Sequence, residues 1–180
     1  MKKVSFRSDV LPLKNGLYRL ALRITLSREE AEDVVQDTML RVWNRRDTWD
    51  RIENIEAFCY TICRNLALDR IKASANKNLS IDSSPLTDTA KALPRTADSS
   101  YRADPERQAE QRDKIDAVRR IMSRLPEKQR SAMHLRDFEQ KSYKEIATIL
   151  DISEDQVKVS IFRARQTIKK LFSKAEQYGL

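Results

Sequence analysis

An all-α fold of two small helical domains joined by a flexible polar linker, the second with a helix-turn-helix, is what this 180-residue sequence predicts. Three observations carry that prediction. Apolar residues recur at spacings of three and four through both ends of the chain, the period of an amphipathic helix. Only two glycines occur, Gly16 and Gly179, too few for the turns of a strand-rich fold, and charged residues at 34% with aromatics at 7% suit helices. Between the two ends lies a stretch rich in Asn, Ser, Asp and Thr, interrupted by Pro85, Pro94 and Pro105. The scarcity of glycine also excludes enzyme classes. A dinucleotide fingerprint, a Walker-type loop or a nucleophile elbow each needs glycine where backbone approaches phosphate or turns sharply. One His and two Cys are too few for a protein-built zinc site, so neither a metal nor a cofactor is expected.

The first domain is expected over residues 1–75. Leu13, Leu17, Leu20 and Ile24 form one stripe of a helix over 11–26. Ser27 and Glu30 then read as a capping box, in which the Ser oxygen and the Glu carboxylate satisfy orphan backbone donors reciprocally. The helix they open buries Ala31, Val34, Val35, Thr38, Met39 and Val42 and ends near Trp43, itself expected in the core. A polar loop over 44–54 holds Arg45, Arg46, Trp49 and Arg51, and Asn54 caps the next helix, 55–72. That helix turns Phe58, Cys59, Ile62, Cys63 and Leu66 inward, while Thr61, Asn65, Asp69 and Lys72 line another face beside Arg64. Cys59 and Cys63, four apart in a helix, read as buried free thiols rather than a disulfide.

Residues 76–105 cannot bury enough apolar surface to offset their ordering entropy and are expected to be a mobile linker. The second domain, 106–180, begins with a helix carrying Ile115, Val118, Ile121 and Met122. Leu125-Pro126-Glu127 restarts the chain, Pro suiting the first helical position and Glu the positive end of the dipole. Ala132, Met133 and Leu135 belong to that helix and Phe138 closes it.

The stretch from Ser142 to Arg165 resembles a helix-turn-helix. Ser142/Glu145 and Ser153/Gln156 are capping boxes eleven residues apart, Ala147 is small enough for two helices to cross, and Asp151 stands at the turn. Ile146, Leu150, Ile152, Val157 and Ile161 form the shared apolar face. From Gln156 to Lys174 there are six basic residues and no acid, a footprint for phosphates as well as base edges. The net charge of +8 divides unevenly. Residues 1–75 hold fourteen basic and eleven acidic residues, 76–108 five of each, and 109–180 sixteen and eleven. Positive charge on both domains favours a nucleic-acid partner. No apolar run approaches a membrane span, and Lys14, Arg19 and Arg23 interrupt any export signal, so a cytoplasmic protein without membrane insertion is expected.

Taken together, four segments resemble bacterial RNA polymerase sigma factors of the extracytoplasmic-function type, in the sigma-70 superfamily. They are Glu30 to Trp43, Ala57 to Arg70, Leu125 to Arg130, and the helix-turn-helix ending Arg163-Ala-Arg165. The resemblance implies a subunit that binds core RNA polymerase and directs it to promoters. It makes Asp33, Gln36, Asp37 and Arg41 candidates for polymerase contact. The loop and helix with Arg45, Arg46, Trp49, Arg64, Asn65, Asp69 and Lys72 would read and melt the −10 element, holding the non-template single strand by charge, stacking and amide hydrogen bonds. Gln156, Lys158, Val159, Phe162, Arg163 and Arg165 would read the −35 element as duplex. The family often has Arg where this chain has Ser160 and His where it has Phe162, so the −35 preference does not carry over. Val159 or Phe162 would meet a thymine methyl instead. An anti-sigma partner is also implied, with no residue here that identifies it.

Two rivals stand beside this reading. One is a helix-turn-helix regulator that binds DNA without entering polymerase, although no sustained heptad supplies a dimer seam. The other is a metal-dependent nuclease built on Glu29, Glu30, Glu32, Asp33 and Asp37. The first three of those acids fall where they stabilise a helix N-terminus, and no second carboxylate cluster accompanies Asp33 and Asp37. The two domains, free in solution, are not expected to hold one rigid arrangement.

Overall fold

The computed structural model describes residues 4–79, 120–122 and 124–177. Residues 80–105 of the expected linker and the positions of Ile115 and Val118 lie outside them. Six α-helices account for most of the described chain: α1 Lys14–Thr25, α2 Arg28–Asn44, α3 Ile55–Leu79, α4 Glu127–Asp137, α5 Tyr143–Leu150 and α6 Glu154–Gln177. A π-helical turn, Phe6–Val10, and two 3₁₀ segments, Leu11–Leu13 and Arg46–Arg51, complete the first half. Helix α3 continues through Leu79, past the boundary expected near residue 75.

The local signals for α2, α3, α5 and α6 act as their chemistry predicts, with one exception. Asn54 Oδ1 accepts from the Ala57 N–H at 2.9 Å and starts α3. At α5 both halves of the capping box form: the Glu145 N–H donates to Ser142 Oγ, and the Ser142 N–H donates to Glu145 Oε2. The Ser153/Gln156 box forms in the same reciprocal way at 3.1 and 3.2 Å. Ahead of α2 only one half forms. Ser27 Oγ accepts from the Glu30 N–H, but the Ser27 N–H turns to Thr25 Oγ1, and the Glu30 carboxylate is drawn to Arg70 at 3.0 Å. A cation across the helix pair outcompetes a neutral N–H for that carboxylate. Pro126 takes the N-cap position rather than the first helical one, with α4 beginning at Glu127. Asp151 ends α5 in the left-handed region, φ 52°, ψ 56°, the role usually given to glycine and one that Asp tolerates.

Helices α1, α2 and α3 form the first module around Leu17, Leu20, Ile24, Val34, Val42, Cys59 and Cys63. Helices α4, α5 and α6 form the second, with α5 and α6 as the helix-turn-helix. Contrary to expectation, the modules do not stand apart. Helix α1 packs on α4 and α3 packs on α5, and Leu135, Ile146, Ile149 and Leu150 belong to the same continuous core as the first module. A separate small cluster, Met122, Leu125, Met133 and Ala164, seals the far side of α4 against α6. Modules of roughly 70 residues bury only about 60% of their unfolded surface alone. Merging the two cores removes further apolar area from water, at roughly 25 cal/mol per Å².

Gly16 lies where this packing is tightest. A Cβ placed on it would stand 2.1 Å from the Tyr60 hydroxyl and 2.8 Å from Glu139 Oε2. Absence of a side chain in the first turn of α1 is therefore a steric requirement of the α1–α3–α4 junction.

Candidate nucleic-acid interface

The outward face of α2 gathers Asp33, Gln36, Asp37 and Arg41, as their spacing requires. The structure adds two residues the sequence reading missed. Leu40 is 61% exposed on that face, an apolar side chain with no reason of its own to meet water. Arg70, from α3, reaches across to Glu30 Oε2 at 3.0 Å, Asp33 Oδ2 at 3.5 Å and Asp37 Oδ2 at 3.0 Å. The Asp37 hydrogen bond is the main cause of a raised Arg70 pKa. A guanidinium thus sits where a nuclease would need a metal, and no cluster of metal-binding side chains occurs among the described residues.

Past α2 the two tryptophans exchange their expected places. Trp49 is 5% exposed, its Nε1 donates to the Val42 carbonyl at 3.1 Å, and its ring stacks with Phe6. Trp43 is 45% exposed, edge-on to Phe6 at 5.2 Å and covered on one side by the Arg46 guanidinium at 5.1 Å. The 3₁₀ segment folds Trp49 back under α2, which leaves the last turn of α2 to present Trp43. Trp49 is a core residue in this arrangement; the ring available to a base is that of Trp43. Arg45 is exposed, 6.0 Å from the Phe58 ring.

On α3, Asn65, Asp69 and Lys72 share an exposed face. Arg64, expected beside them, is 6% exposed. Its Nε and Nη2 donate to the two Glu127 carboxylate oxygens at 3.2 and 2.9 Å, across the boundary between modules. Glu127 also accepts from Ser131 Oγ at 2.8 Å. A second node joins the modules at Glu139, which accepts from Arg19 Nε and Nη2 at 2.7 and 2.9 Å and from the Tyr60 hydroxyl at 3.2 Å. Burial alone would raise the Glu139 pKa, but His134 and Arg19 outweigh it and hold the carboxylate at about 2. His134 is itself buried, its Nε2 3.4 Å from Glu139 Oε1, and desolvation lowers its pKa, so the ring is neutral near pH 7. The Asn54 amide donates to Glu145 at 3.1 Å, and Lys141 pairs with Glu56. None of the partners that join the two modules is near in sequence, so no local pattern signals them.

The second interface is open. Gln156, Lys158, Val159, Phe162, Arg163 and Arg165 are all exposed on α6. Phe162 is 64% exposed, and Val159, three residues earlier, shares its side of the helix with Arg163 one turn on. Gln156 is engaged by its own capping box, Lys158 pairs with Asp155 at 3.1 Å, and Arg165 pairs with Asp137 of α4. The hydrogen bond to Asp137 raises the Arg165 pKa, as that to Asp155 raises that of Lys158. The outward surface of α6 is therefore an apolar pair flanked by cations, shaped for base edges within reach of phosphates. Cys59 and Cys63 are buried free thiols with pKa pushed up to about 12 by desolvation, which makes them packing residues.

Residues 10–76 match the model for sigma-70 region 2, and residues 115–168 match that for sigma-70 region 4. The chain is similar to the extracytoplasmic-function sigma factor SigM of Bacillus subtilis, 29% identical over 89% of this chain and 90% of that protein. It is also similar to the RNA polymerase sigma-H factor of Pseudomonas aeruginosa, 30% identical over 93% of this chain and 86% of that protein. Among solved structures it is similar to the sigma factor RpoE of Bartonella quintana in complex with the anti-sigma factor NepR. That likeness has a TM-score of 0.70 and 22% identity, over 93% of this chain and 96% of that one.

Proposed function

Because the chain belongs to the sigma-70 superfamily of RNA polymerase sigma factors, of the extracytoplasmic-function type, we propose that it binds core RNA polymerase and directs it to specific promoters. It is a transcription initiation factor rather than an enzyme. The observation that carries the reading is the pairing, in one chain, of an exposed α2 face of acids, Arg41 and Leu40 with a helix-turn-helix whose α6 surface is exposed. On α2, Asp33, Gln36, Asp37 and Arg41 serve the polymerase contact, with Leu40 supplying the apolar centre that charged residues alone would lack. Arg45, Arg46, Asn65, Asp69 and Lys72, with Arg64 once uncovered, serve the −10 element, and Trp43 rather than Trp49 offers the stacking surface. Val159, Phe162 and Arg163 serve the −35 duplex, with Lys158 and Arg165 as phosphate contacts.

The working compartment of this reading is the cytoplasm, where polymerase and promoters are. No helix among the described residues is long and apolar enough to cross a membrane. An anti-sigma factor is a fitting partner, as one of the similar solved structures is the sigma factor RpoE in complex with the anti-sigma factor NepR. Reconstitution with core polymerase on genomic DNA, followed by sequencing of the transcript ends, tests the proposal. Starts clustered behind one shared pair of elements support it. Tight duplex binding without any initiation favours the regulator that never enters polymerase.

A further inference from the structure

We propose that Arg70 is a positioning residue for the polymerase contact: from α3 it fixes the acids of α2 in the pose in which a basic partner surface meets them. The proposal rests on the reading that the exposed face of α2 is that contact. Glu30, Asp33 and Asp37 follow one another at spacings of three and four, along one side of the helix. Arg70 Nη1 donates to Glu30 Oε2 at 3.0 Å and to Asp33 Oδ2 at 3.5 Å, while Nη2 donates to Asp37 Oδ2 at 3.0 Å. One guanidinium thus holds one oxygen of each carboxylate, and all three acids remain about half exposed. Three carboxylates against one cation leave the cluster net negative, so the surface it complements is basic.

Two local bonds are given up for this arrangement. The Glu30 carboxylate leaves the Ser27 N–H, its partner in a capping box. Asp37 pairs with Arg70 rather than with Arg41, its neighbour one turn on, although that spacing and order favour an ion pair on a helix. Arg41 stays exposed beside Gln36 and Leu40, within reach of a partner. Cohesion of the two helices does not account for the network. Helices α2 and α3 already share the core of Val34, Val42, Cys59 and Cys63, and ion pairs as exposed as these add little to stability. A contact surface gains more from them, because side chains fixed in advance lose less freedom on binding.

Charge and position predict opposite effects of removing Arg70. The face gains one net negative charge, which by itself speeds and tightens association with a basic surface. Release of the acids acts against binding, because their freedom must then be lost on contact. The test is competition for core RNA polymerase. Full-length variants displace a dye-labelled full-length chain, with the dye on Lys144→Cys, an exposed site, the native thiols being buried. Circular dichroism and urea midpoints verify that each variant is folded. Arg70→Ala is expected to compete about tenfold less well at low salt, the effect of re-ordering two or three side chains on contact. Arg70→Lys should stay weak, since an ammonium is a point charge without the fork that spans three carboxylates. In the Asp33→Asn/Asp37→Asn background, itself weakened, Arg70→Ala should add at most about twofold.

Unchanged or tighter binding by Arg70→Ala overturns the proposal, as does full rescue by Arg70→Lys, which would leave charge alone as the device. An undiminished loss in the Asp33→Asn/Asp37→Asn background overturns it too, by placing the action of Arg70 outside those acids. If Asp33→Asn/Asp37→Asn alone costs no affinity, the polymerase-contact reading of α2 falls, and the positioning role falls with it. Loss from Asp33→Asn/Asp37→Asn with none from Arg70→Ala keeps that reading and removes only the positioning role.

Discussion

Arg64 on α3 and Arg163 on α6 are both arginines on long helices, both proposed for DNA, and the structure treats them in opposite ways. Arg64 is enclosed by a carboxylate from the other module, whereas Arg163 faces water. Arg64 is spent on an ion pair between the modules, while Arg45, Asn65 and Lys72 of the same proposed surface stay exposed, as Phe162 and Arg163 do on α6. A strand that must first be melted out of duplex is not available to a free subunit, so nothing is lost while Arg64 is paired. Duplex is available at once. The same guanidinium serves cohesion at Arg64 and is left for the proposed recognition at Arg163, and the difference is made by Glu127.

The largest contrast should be in stability. Removing one partner of a fully buried ion pair costs roughly 3–5 kcal/mol, and Arg64→Ala should cost about 2 kcal/mol because Glu127 keeps part of its water. Arg163→Ala should stay within about 0.5 kcal/mol, as an exposed substitution does. Urea unfolding of both variants gives the numbers, and equal midpoints would erase the distinction between the two surfaces. Next in size is base discrimination. Phe162→Ala should lose about 1.5 kcal/mol of preference for sites with thymine at its contact and keep the salt dependence. Arg163→Ala should weaken binding across sequences and lower the salt slope by about one if it contacts phosphate. Titration of duplexes at several salt concentrations separates the two.

A smaller effect belongs to pH. His134 is buried with its pKa lowered from 6.5 by desolvation, so the unfolded chain takes up a proton that the native chain refuses. Its contribution to stability is complete above pH 6.5 and declines as pH falls below it, with a slope of at most about 1.4 kcal/mol per pH unit. The Glu139 carboxylate, lowered from 4.5 to about 2, adds its own loss only between those values. Denaturation midpoints of native chain and His134→Gln across pH 5 to 7.5 should diverge, the variant being flatter over about this range. The smallest expected change is a gain. Asp151→Gly, relieving the left-handed turn between α5 and α6, should stabilise the chain by about 0.5 kcal/mol without altering duplex affinity.

The legible parts of this molecule are those decided within a few residues. Ser142 with Glu145, Ser153 with Gln156, and Asn54 before α3 carry their meaning in side chains that bond backbone three positions away. The stripe of Leu17, Leu20 and Ile24 is legible for the same reason, since one helix face is a local object. Where a distant residue decides, sequence reasoning had nothing to act on. Trp43 and Trp49 exchanged places because Phe6 and the Val42 carbonyl are where a ring can be buried and its N–H satisfied. Glu30 left its capping box because Arg70 stands forty positions on. The docking of the modules, made by Arg19 with Glu139 and Arg64 with Glu127, left no trace in spacing or composition. Composition pointed the other way, toward two basic bodies on a tether.

Gly16 makes this docking sensitive to a single methyl group. Alanine, serine or aspartate at this position would each put a Cβ into the Tyr60 hydroxyl and the Glu139 carboxylate. Position 16 thus couples the first turn of α1 to the Arg19–Glu139 pair without touching any residue proposed to read a promoter.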